Sequence, residues 1–525
     1  MKPFDPSGAF QSNVNEGGIR RLTVRGAGVT VFSSGLSLAV QIVSTVVLAR
    51  LLVPTDFGLV TMVTTFSLLL VNFGINGFTE AVLQAENLDR NLASNLFWVN
   101  VSIGLLLTIA FAASGSAIAR FYGNPLVASV AIGISLTIIA TSTSVLHLAL
   151  LKRAMRFTVV SMTGILAQAI SIAVSIFLAW EHWGYKALVV GVVVQAVLQS
   201  VGAWFFCEWI PGFPRRAPGT RSMVQFAIHV YGRFTINYFS RNADNLLVGW
   251  RFGAGSLGFY KKAYDLFALS ASQLTAPLAN VAVSALSRFK PDSPQYRKFL
   301  LNALGVIAFA GMGLSAVFTL IGKDLIRLLL GPGWEQAGRI FVFFGPGIGV
   351  MMLYYAHGWI HLSIGRPDRW FRWGLIEVST TLLLFVLMLP FGPVGIAVAW
   401  TLSFWILTLP AFWYAGKPIQ LGIVPVIAVV WRFVVAALVA GFGTAMIFGG
   451  LATFAAPPSL IGAFLRIAKI SLSFGVLYLA AVALLHRGFG PAHQVLGLMR
   501  EMLPGRGSSK APLVDLPTTS ATVIT

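Results

Sequence analysis

The run AGVTVFSSGLSLAVQIVSTVVLA, residues 27–49, decides the fold class, because its 23 residues carry no charge. A helix needs about 20 mainly apolar residues to cross the hydrocarbon layer of a bilayer. The segment before it is polar and carries Arg20, Arg21 and Arg25. The run is too long for the apolar part of a cleaved signal peptide, so we expect it to remain as the first membrane span.

Further apolar runs of similar length follow along the chain and predict an all-α integral membrane protein. The joint between the eleventh and twelfth runs is the pair Gly392-Pro393, which is typical of a tight turn. We predict about fourteen spans, at residues 27–49, 58–76, 95–115, 125–148, 158–180, 184–206, 226–249, 259–283, 299–321, 339–362, 374–391, 393–415, 425–447 and 463–486.

The composition supports a membrane environment. Of 525 residues, 57% are hydrophobic and 10% are charged, whereas soluble domains carry about 25% charged residues. The net charge of +20 would suggest nucleic acid in a soluble protein. Here the Lys and Arg clusters fall between spans on one side of the membrane, which predicts cytoplasmic termini and no nucleic-acid partner. These clusters include Lys152-Arg153-Arg156, Arg215-Arg216-Arg221 and Arg366-Arg369-Arg372.

Short connections leave no room for an extramembrane catalytic domain. The longest are residues 77–94, 207–225 and 322–338. The single cysteine, Cys207, excludes a disulfide within the chain and a cysteine-based metal cage. We predict a cytoplasmic segment (1–26), an N-lobe (27–206), a cytoplasmic linker (207–225), a C-lobe (226–415), two further spans (416–486) and a disordered cytoplasmic tail (487–525).

An internal repeat relates the two lobes. Shifting the first span by 200 positions places Val46-Val47-Leu48 on Leu246-Leu247-Val248, and Phe57-Gly58 on Leu257-Gly258. This indicates two pseudo-symmetric six-helix lobes followed by two C-terminal helices. In transporters built from repeats, the substrate site lies between the repeats.

The repeat also reveals a charged stripe. Ser33, Ser37, Gln41 and Ser44 share one face of the first span, and the equivalent positions of the seventh are Arg233, Asn237, Arg241 and Asp244. A charge at the bilayer centre costs about 2.5–3.5 kcal/mol, so such residues usually face a cavity and mark function. The alternative is a span near the interface with snorkelling side chains. We expect Arg241 and Asp244, three residues apart, to pair.

The start of the eighth span adds to this stripe. Its sequence Tyr260-Lys261-Lys262 is followed by Asp265 one turn later. Together with the charged stripe, these residues predict a cationic wall with two acidic members.

Three segments resemble the Wzx-type polysaccharide exporters of the multidrug/oligosaccharidyl-lipid/polysaccharide flippase superfamily. They are LARLLVPTDFG (48–58), SRNADNLLVG (240–249) and GFYKKAYD (258–265). The resemblance extends over nearly the whole chain, including the number of spans. It implies a flippase without enzymatic activity that works by alternating access in the bacterial inner membrane. Its substrate would be an undecaprenyl-pyrophosphate-linked oligosaccharide for exopolysaccharide, capsule or O-antigen synthesis.

The same resemblance implies roles for individual residues. The substrate-binding candidates are Arg233, Asn237, Arg241, Lys261, Lys262 and Gln41. Asp244 and Asp265 are the candidates for coupling to Na⁺ or H⁺. We expect no cofactor and no metal site. The expected partners are the lipid-linked oligosaccharide, membrane lipids, a polysaccharide polymerase and a chain-length regulator.

Two other functions remain as alternatives. A drug/cation antiporter of the same superfamily usually has twelve spans and an acidic site, which the arginine stripe argues against. A membrane-embedded polymerase or glycosyltransferase would need a large loop or an acidic cluster outside the spans, and the sequence shows neither.

Overall fold

The described residues of the computed structural model are almost entirely helical. They are residues 3–11, 16–450, 459–488 and 490; the side chains of 16–27, 31, 233, 236, 237, 240, 273, 274, 276, 277 and 280 lie outside the description. The α-helices are α1 Glu16–Leu51, α2 Pro54–Asn72, α3 Thr79–Gln84, α4 Arg90–Tyr122, α5 Leu126–Arg153, α6 Phe157–Trp180, α7 Tyr185–Cys207, α8 Thr220–Leu286, α9 Pro294–Leu330, α10 Glu335–Phe344, α11 Ile348–Ser363, α12 Pro367–Met388, α13 Gly392–Gly416, α14 Ile423–Ile447 and α15 Leu460–His486.

These helices account for the predicted spans. Eleven stretches of the described chain are long and apolar enough to cross a membrane, and one of them, residues 367–419, contains both α12 and α13. Helix α8 is not among these stretches; it bends at Gly253 into two arms. Each arm is about 50 Å long, which exceeds the thickness of the hydrocarbon layer. The all-α membrane fold and its span number are therefore confirmed.

The bend of α8 is the counterpart of the break between α1 and α2. Gly253 has φ 78° and ψ −179°, a conformation open to glycine. The equivalent position, 200 residues earlier, is Val53 between α1 and α2. The pair α1–α2 and the two arms of α8 are thus two copies of one helix–break–helix unit, as the repeat predicts.

The two copies meet in a reciprocal contact. A Cβ added to Gly58 would overlap the carbonyl of Ala254, and a Cβ added to Gly258 would overlap the carbonyl of Pro54. Positions 54 and 58 are related to 254 and 258 by the same shift of 200. Contacts in which i meets j and j meets i are the signature of two-fold symmetry. We call the end of the molecule that contains these contacts the hinge side.

The opposite end carries the connection between the lobes, and we call it the linker side. The connection comprises residues 208–219, which is shorter than the predicted 207–225 because α8 already begins at Thr220. It is tied to α4, since Asn95 donates to the Arg215 carbonyl at 2.6 Å and Trp98 donates to the Gly212 carbonyl at 2.9 Å. The linker is thus part of the N-lobe surface.

The predicted loop 322–338 is wrong in its first half, because α9 continues to Leu330. Asp324 is fully buried in α9 and accepts two hydrogen bonds from Arg466 of α15, at 2.6 and 2.8 Å. This bidentate pair ties the last helix to the C-lobe. The predicted disordered tail lies almost wholly outside the described residues.

Candidate functional site

The lobes are closed against each other at the hinge side. The Trp334 indole donates to the Ala49 carbonyl at 2.8 Å, and Arg50 donates to the Leu328 carbonyl at 2.9 Å. Each bond joins α1 of the N-lobe to the α9–α10 region of the C-lobe. The Trp334 ring also packs on Phe57, with ring centroids 5.5 Å apart. Together with the reciprocal glycine contacts, these bonds seal this end.

A cavity of about 470 Å³ lies between α1 and the second arm of α8. Apolar side chains of α1, α8, α9 and α11 form much of its wall. Its polar lining residues are Gln41, Thr45, Arg241, Lys262, Tyr264, Asp265, Ser272, Thr275 and Tyr355. The cavity therefore lies where the repeat predicts a substrate site, between the two lobes.

Arg241 is the central cation of the cavity wall. It lies near the middle of the first arm of α8 and is solvent-accessible, so it faces the cavity rather than packed protein. Its guanidinium lies over the ring of Tyr355 from α11, 5.6 Å from the ring centroid. An aromatic face holds the guanidinium in place without neutralising its charge. Gln41 of α1 lines the same cavity, so these two predicted site residues are brought together.

The two lysines of the predicted cationic wall have different surroundings. Lys262 lines the cavity, with its ammonium 4.2 Å from the centroid of the Phe57 ring of α2. Lys261 forms an ion pair with Asp265 one turn away. Asp265 is thus partly neutralised, and the lining as a whole remains cationic. The roles predicted for these three residues remain predictions.

Asp244 does not pair with Arg241, which corrects the expectation from their spacing. It is fully buried and accepts hydrogen bonds from the Tyr260 hydroxyl at 2.7 Å and the Trp400 indole at 3.0 Å. It also accepts from the backbone N–H of Asn245 at 2.8 Å. Asp244 thereby ties the two arms of α8 to α13 and lies behind the cavity wall. Its role in ion coupling remains a prediction.

Two of the predicted binding residues cannot be placed. The side chains of Arg233 and Asn237 lie outside the described side chains, although their backbone belongs to the first arm of α8. Asn237 lies one turn from Arg241 and Arg233 lies two turns from it, both toward the linker side of the same helix.

Glu377 of α12 is an acidic neighbour of Arg241 that the sequence did not assign to the site. The two charges attract each other electrostatically, without forming an ion pair within 4 Å. The Trp373 indole of α12 donates to the Tyr354 hydroxyl of α11 at 2.9 Å, and Glu377 lies one turn after Trp373 on the same helix. The available signal was that Glu377 is the one carboxylate inside the predicted eleventh span. Its partner, 136 positions earlier, is not visible from spacing.

The arrangement is suited to binding an anion. Two cations, Arg241 and Lys262, reach a cavity whose apolar walls exclude much of the water, which strengthens their attraction for negative charge. A guanidinium can donate two parallel hydrogen bonds to a phosphate.

Comparison with known proteins adds a family. A family model described as polysaccharide biosynthesis protein matches residues 47–339. The teichuronic acid biosynthesis protein TuaB of Bacillus subtilis is 25% identical over 319 residues, covering 60% of this chain and 64% of TuaB. The lipopolysaccharide biosynthesis protein WzxC of Escherichia coli is 22% identical, covering 61% and 65%. The succinoglycan biosynthesis transport protein ExoT of Rhizobium meliloti is 19% identical, covering 69% and 73%.

Two solved structures share the fold. The inward closed conformation of the lipid II flippase MurJ superposes with a TM-score of 0.71 at 14% identity, over 88% of this chain and 99% of that one. An inward-facing multidrug resistance transporter of the MATE family gives 0.59 at 11% identity, over 73% and 94%. At this identity the likeness concerns the fold alone, and it confirms the two-lobe arrangement.

Proposed function

Because the chain belongs to the polysaccharide biosynthesis protein family, we propose that it moves a lipid-linked, anionic oligosaccharide across a membrane and is not an enzyme. The observation that carries the proposal is the cationic cavity between the lobes, with Arg241 and Lys262 in its wall. The name of ExoT, a succinoglycan biosynthesis transport protein, supports transport, and the name of WzxC supports a role in lipopolysaccharide biosynthesis.

The finer assignment follows from chemistry. We propose undecaprenyl pyrophosphate as the lipid carrier, because a diphosphate suits an arginine and a lysine facing one cavity. The long prenyl chain would stay in the bilayer while the diphosphate and sugar enter the cavity. Export polysaccharide polymerases and chain-length regulators are the expected downstream partners.

The proposed mechanism is alternating access in the bacterial inner membrane. The positive-inside rule makes the linker side cytoplasmic, with both termini on that side. The hinge side, sealed by Trp334 and the reciprocal glycines, is then the closed periplasmic gate. The substrate would enter from the cytoplasmic leaflet and leave after the lobes separate at the hinge side.

Arg241→Ala tests the proposal in liposomes that contain the purified protein and a fluorescent polyprenyl diphosphate oligosaccharide. We expect loss of most transport, at least about tenfold, because one charge-assisted phosphate contact contributes about 1.5–3 kcal/mol. The measurement is the fraction of the probe that becomes accessible to an enzyme or quencher outside the liposomes.

Arg432→Ala is the matched control, since Arg432 lies on α14 beside Trp431, away from the cavity lining. We expect it to transport normally. Equal activity of Arg241→Ala and the wild type would refute the assignment of the cavity. Transport of organic cations instead of the diphosphate probe would favour the antiporter.

A further inference from the structure

A file of titratable side chains connects the cavity to the linker side of the C-lobe. His361 lies in the last turn of α11, His357 one turn deeper and Tyr354 one turn deeper again. Glu377 of α12 interacts electrostatically with Tyr354 and with Arg241. Chains of Glu and His inside a membrane protein are typical of proton relays.

The two histidines are buried and incompletely bonded. His361 is fully buried, and neither of its ring nitrogens has a hydrogen-bonding partner among the described residues. His357 is 2% exposed; its Nδ1 bonds the Tyr354 carbonyl, which makes Nδ1 the donor. Nε2 of His357 is then an acceptor that has no partner in the described part of the chain. Buried polar atoms without partners are rare and call for a functional explanation.

The spacing along the file suits proton transfer. The rings of His361 and His357 are 5.9 Å apart between centroids, and those of His357 and Tyr354 are 4.6 Å apart. A single water molecule can bridge gaps of this size. The Tyr354 hydroxyl accepts a hydrogen bond from the Trp373 indole at 2.9 Å, and an indole can only donate. The hydroxyl hydrogen of Tyr354 is therefore directed to another acceptor, and Glu377, one turn after Trp373 on α12, is its acidic neighbour.

The charged groups around the file come from four helices. Glu377 faces Arg241 of α8 and Tyr354 of α11. His361 faces Asp368 and Arg369 of α12, Tyr414 of α13 and His357. Arg241 is bordered in addition by Tyr264 and Tyr355. Glu377 is thus the carboxylate with which a diphosphate must compete for Arg241.

We propose that Glu377 takes up one cytoplasmic proton along His361, His357 and Tyr354, and that this proton frees Arg241 to bind the diphosphate. The inference rests on the proposed function. In the empty carrier, the ionised Glu377 balances the charge of Arg241. When a diphosphate binds Arg241, the carboxylate loses its cation and accepts the proton. Release of the diphosphate on the other side returns that proton to water.

The sign of the pH dependence follows from this exchange. Binding of the anion and uptake of the proton favour each other, so the affinity for the diphosphate rises as the pH falls. One proton per diphosphate gives a change of about tenfold per pH unit within the range where Glu377 titrates.

The equilibrium test uses the full-length protein and a short-chain polyprenyl diphosphate galactose. Its phosphates are diesters, which lack the ionisation near about pH 6 that phosphate monoesters show. For the wild type we expect the pH-dependent affinity and, in an unbuffered solution with a pH dye, about one proton taken up per probe bound. Glu377→Gln should bind tightly with no pH dependence, and Glu377→Asp should keep it. Glu181→Gln, on the exposed end of α6, is the control with the wild-type slope.

The kinetic test examines the file itself. We expect His361→Gln and His357→Gln to slow proton uptake at least about tenfold while the equilibrium slope stays unchanged, because glutamine cannot carry a proton in this range. His486→Gln is the matched control, since His486 also bonds a carbonyl of its own helix but lies on α15.

The outcomes separate this inference from the proposed function. If the wild type does not bind the probe, or Arg241→Ala binds it equally well, the proposed function fails. If Arg241→Ala loses binding but Glu377→Gln keeps the wild-type slope, only the proton exchange is refuted. The direct count of protons decides the question even if Glu377→Gln does not fold. Unchanged proton uptake rates in both histidine variants would refute the role of His361 and His357 in proton transfer.

Discussion

Helix α1 and the first arm of α8 are two copies of one helix, yet their equivalent faces carry different chemistry. In α1, Ser37 bonds Gln168 of α6 with its hydroxyl and its carbonyl, so its polar groups are satisfied inside the N-lobe. In α8, Asp244 reaches Tyr260 and Trp400, while Arg241 faces the cavity. The repeat thus determines where the helices meet, and the divergence of side chains places the positive charge on one wall only.

The largest expected effect is at Gly58 and Gly258, the reciprocal glycines that the two copies still share. Gly58→Val and Gly258→Val should each abolish transport and lower the free energy of unfolding by about 3 kcal/mol. The reason is that the new side chain overlaps a backbone carbonyl that cannot move aside. Thermal unfolding in detergent and liposome transport measure the two effects.

Gly164→Ala is the control, because a Cβ at this position of α6 meets no atom within 4 Å. Symmetry requires that the two valine variants behave alike. Full tolerance of either substitution would mean that the hinge side does not close by reciprocal contact.

The next largest effect is expected at Asp244 of α8, whose equivalent in α1 is the uncharged Ser44. Asp244→Ala should lower the free energy of unfolding by about 2 kcal/mol, since it leaves the Tyr260 hydroxyl and the Trp400 indole buried without an acceptor. Ser44→Ala at the equivalent position of α1 should cost much less. Chemical denaturation of both variants measures the difference, and equal losses would contradict the asymmetry of the lobes.

A smaller effect is expected at the seal between the lobes. Trp334→Phe keeps an aromatic ring against Phe57 but removes the hydrogen bond to the Ala49 carbonyl. The free energy that holds the hinge side closed should therefore fall by about 1 kcal/mol, and this side should open more often. Distances between spin labels on the two lobes report the opening. Trp405→Phe loses a similar bond within the C-lobe and should leave these distances unchanged.

The smallest effect is expected in the uncharged copy. Ser37→Ala removes a side-chain bond to Gln168, and such bonds in membrane proteins contribute about 0.6 kcal/mol. Stability should fall by that amount and transport should remain near normal. A severe loss of transport would show that the N-lobe stripe also takes part in substrate binding.

Much of the fold could be predicted because it follows from local composition. Fourteen apolar runs predicted the spans, and two of them, residues 226–249 and 259–283, correspond to the two arms of α8. Loop positions were less accurate: Asp324 lies inside α9 because its charge is balanced by Arg466, which is 142 positions away. A charged residue interrupts an apolar run in the sequence and so suggests a loop, even where a partner distant in the chain stabilises that charge within a continuous helix.

The sequence by itself determined the membrane environment and the two-fold repeat, because hydropathy and the shift of 200 positions can be read along the chain. It also predicted a cationic wall, of which Arg241 and Lys262 line the cavity. Only the tertiary structure decided which acid stands near Arg241. Asp244 is three residues away yet bonds Tyr260 and Trp400, whereas Glu377 from another helix is its electrostatic neighbour. The physical reason is that side chains on one helix turn to the partners that neighbouring helices present, and helix packing alone brings those partners together.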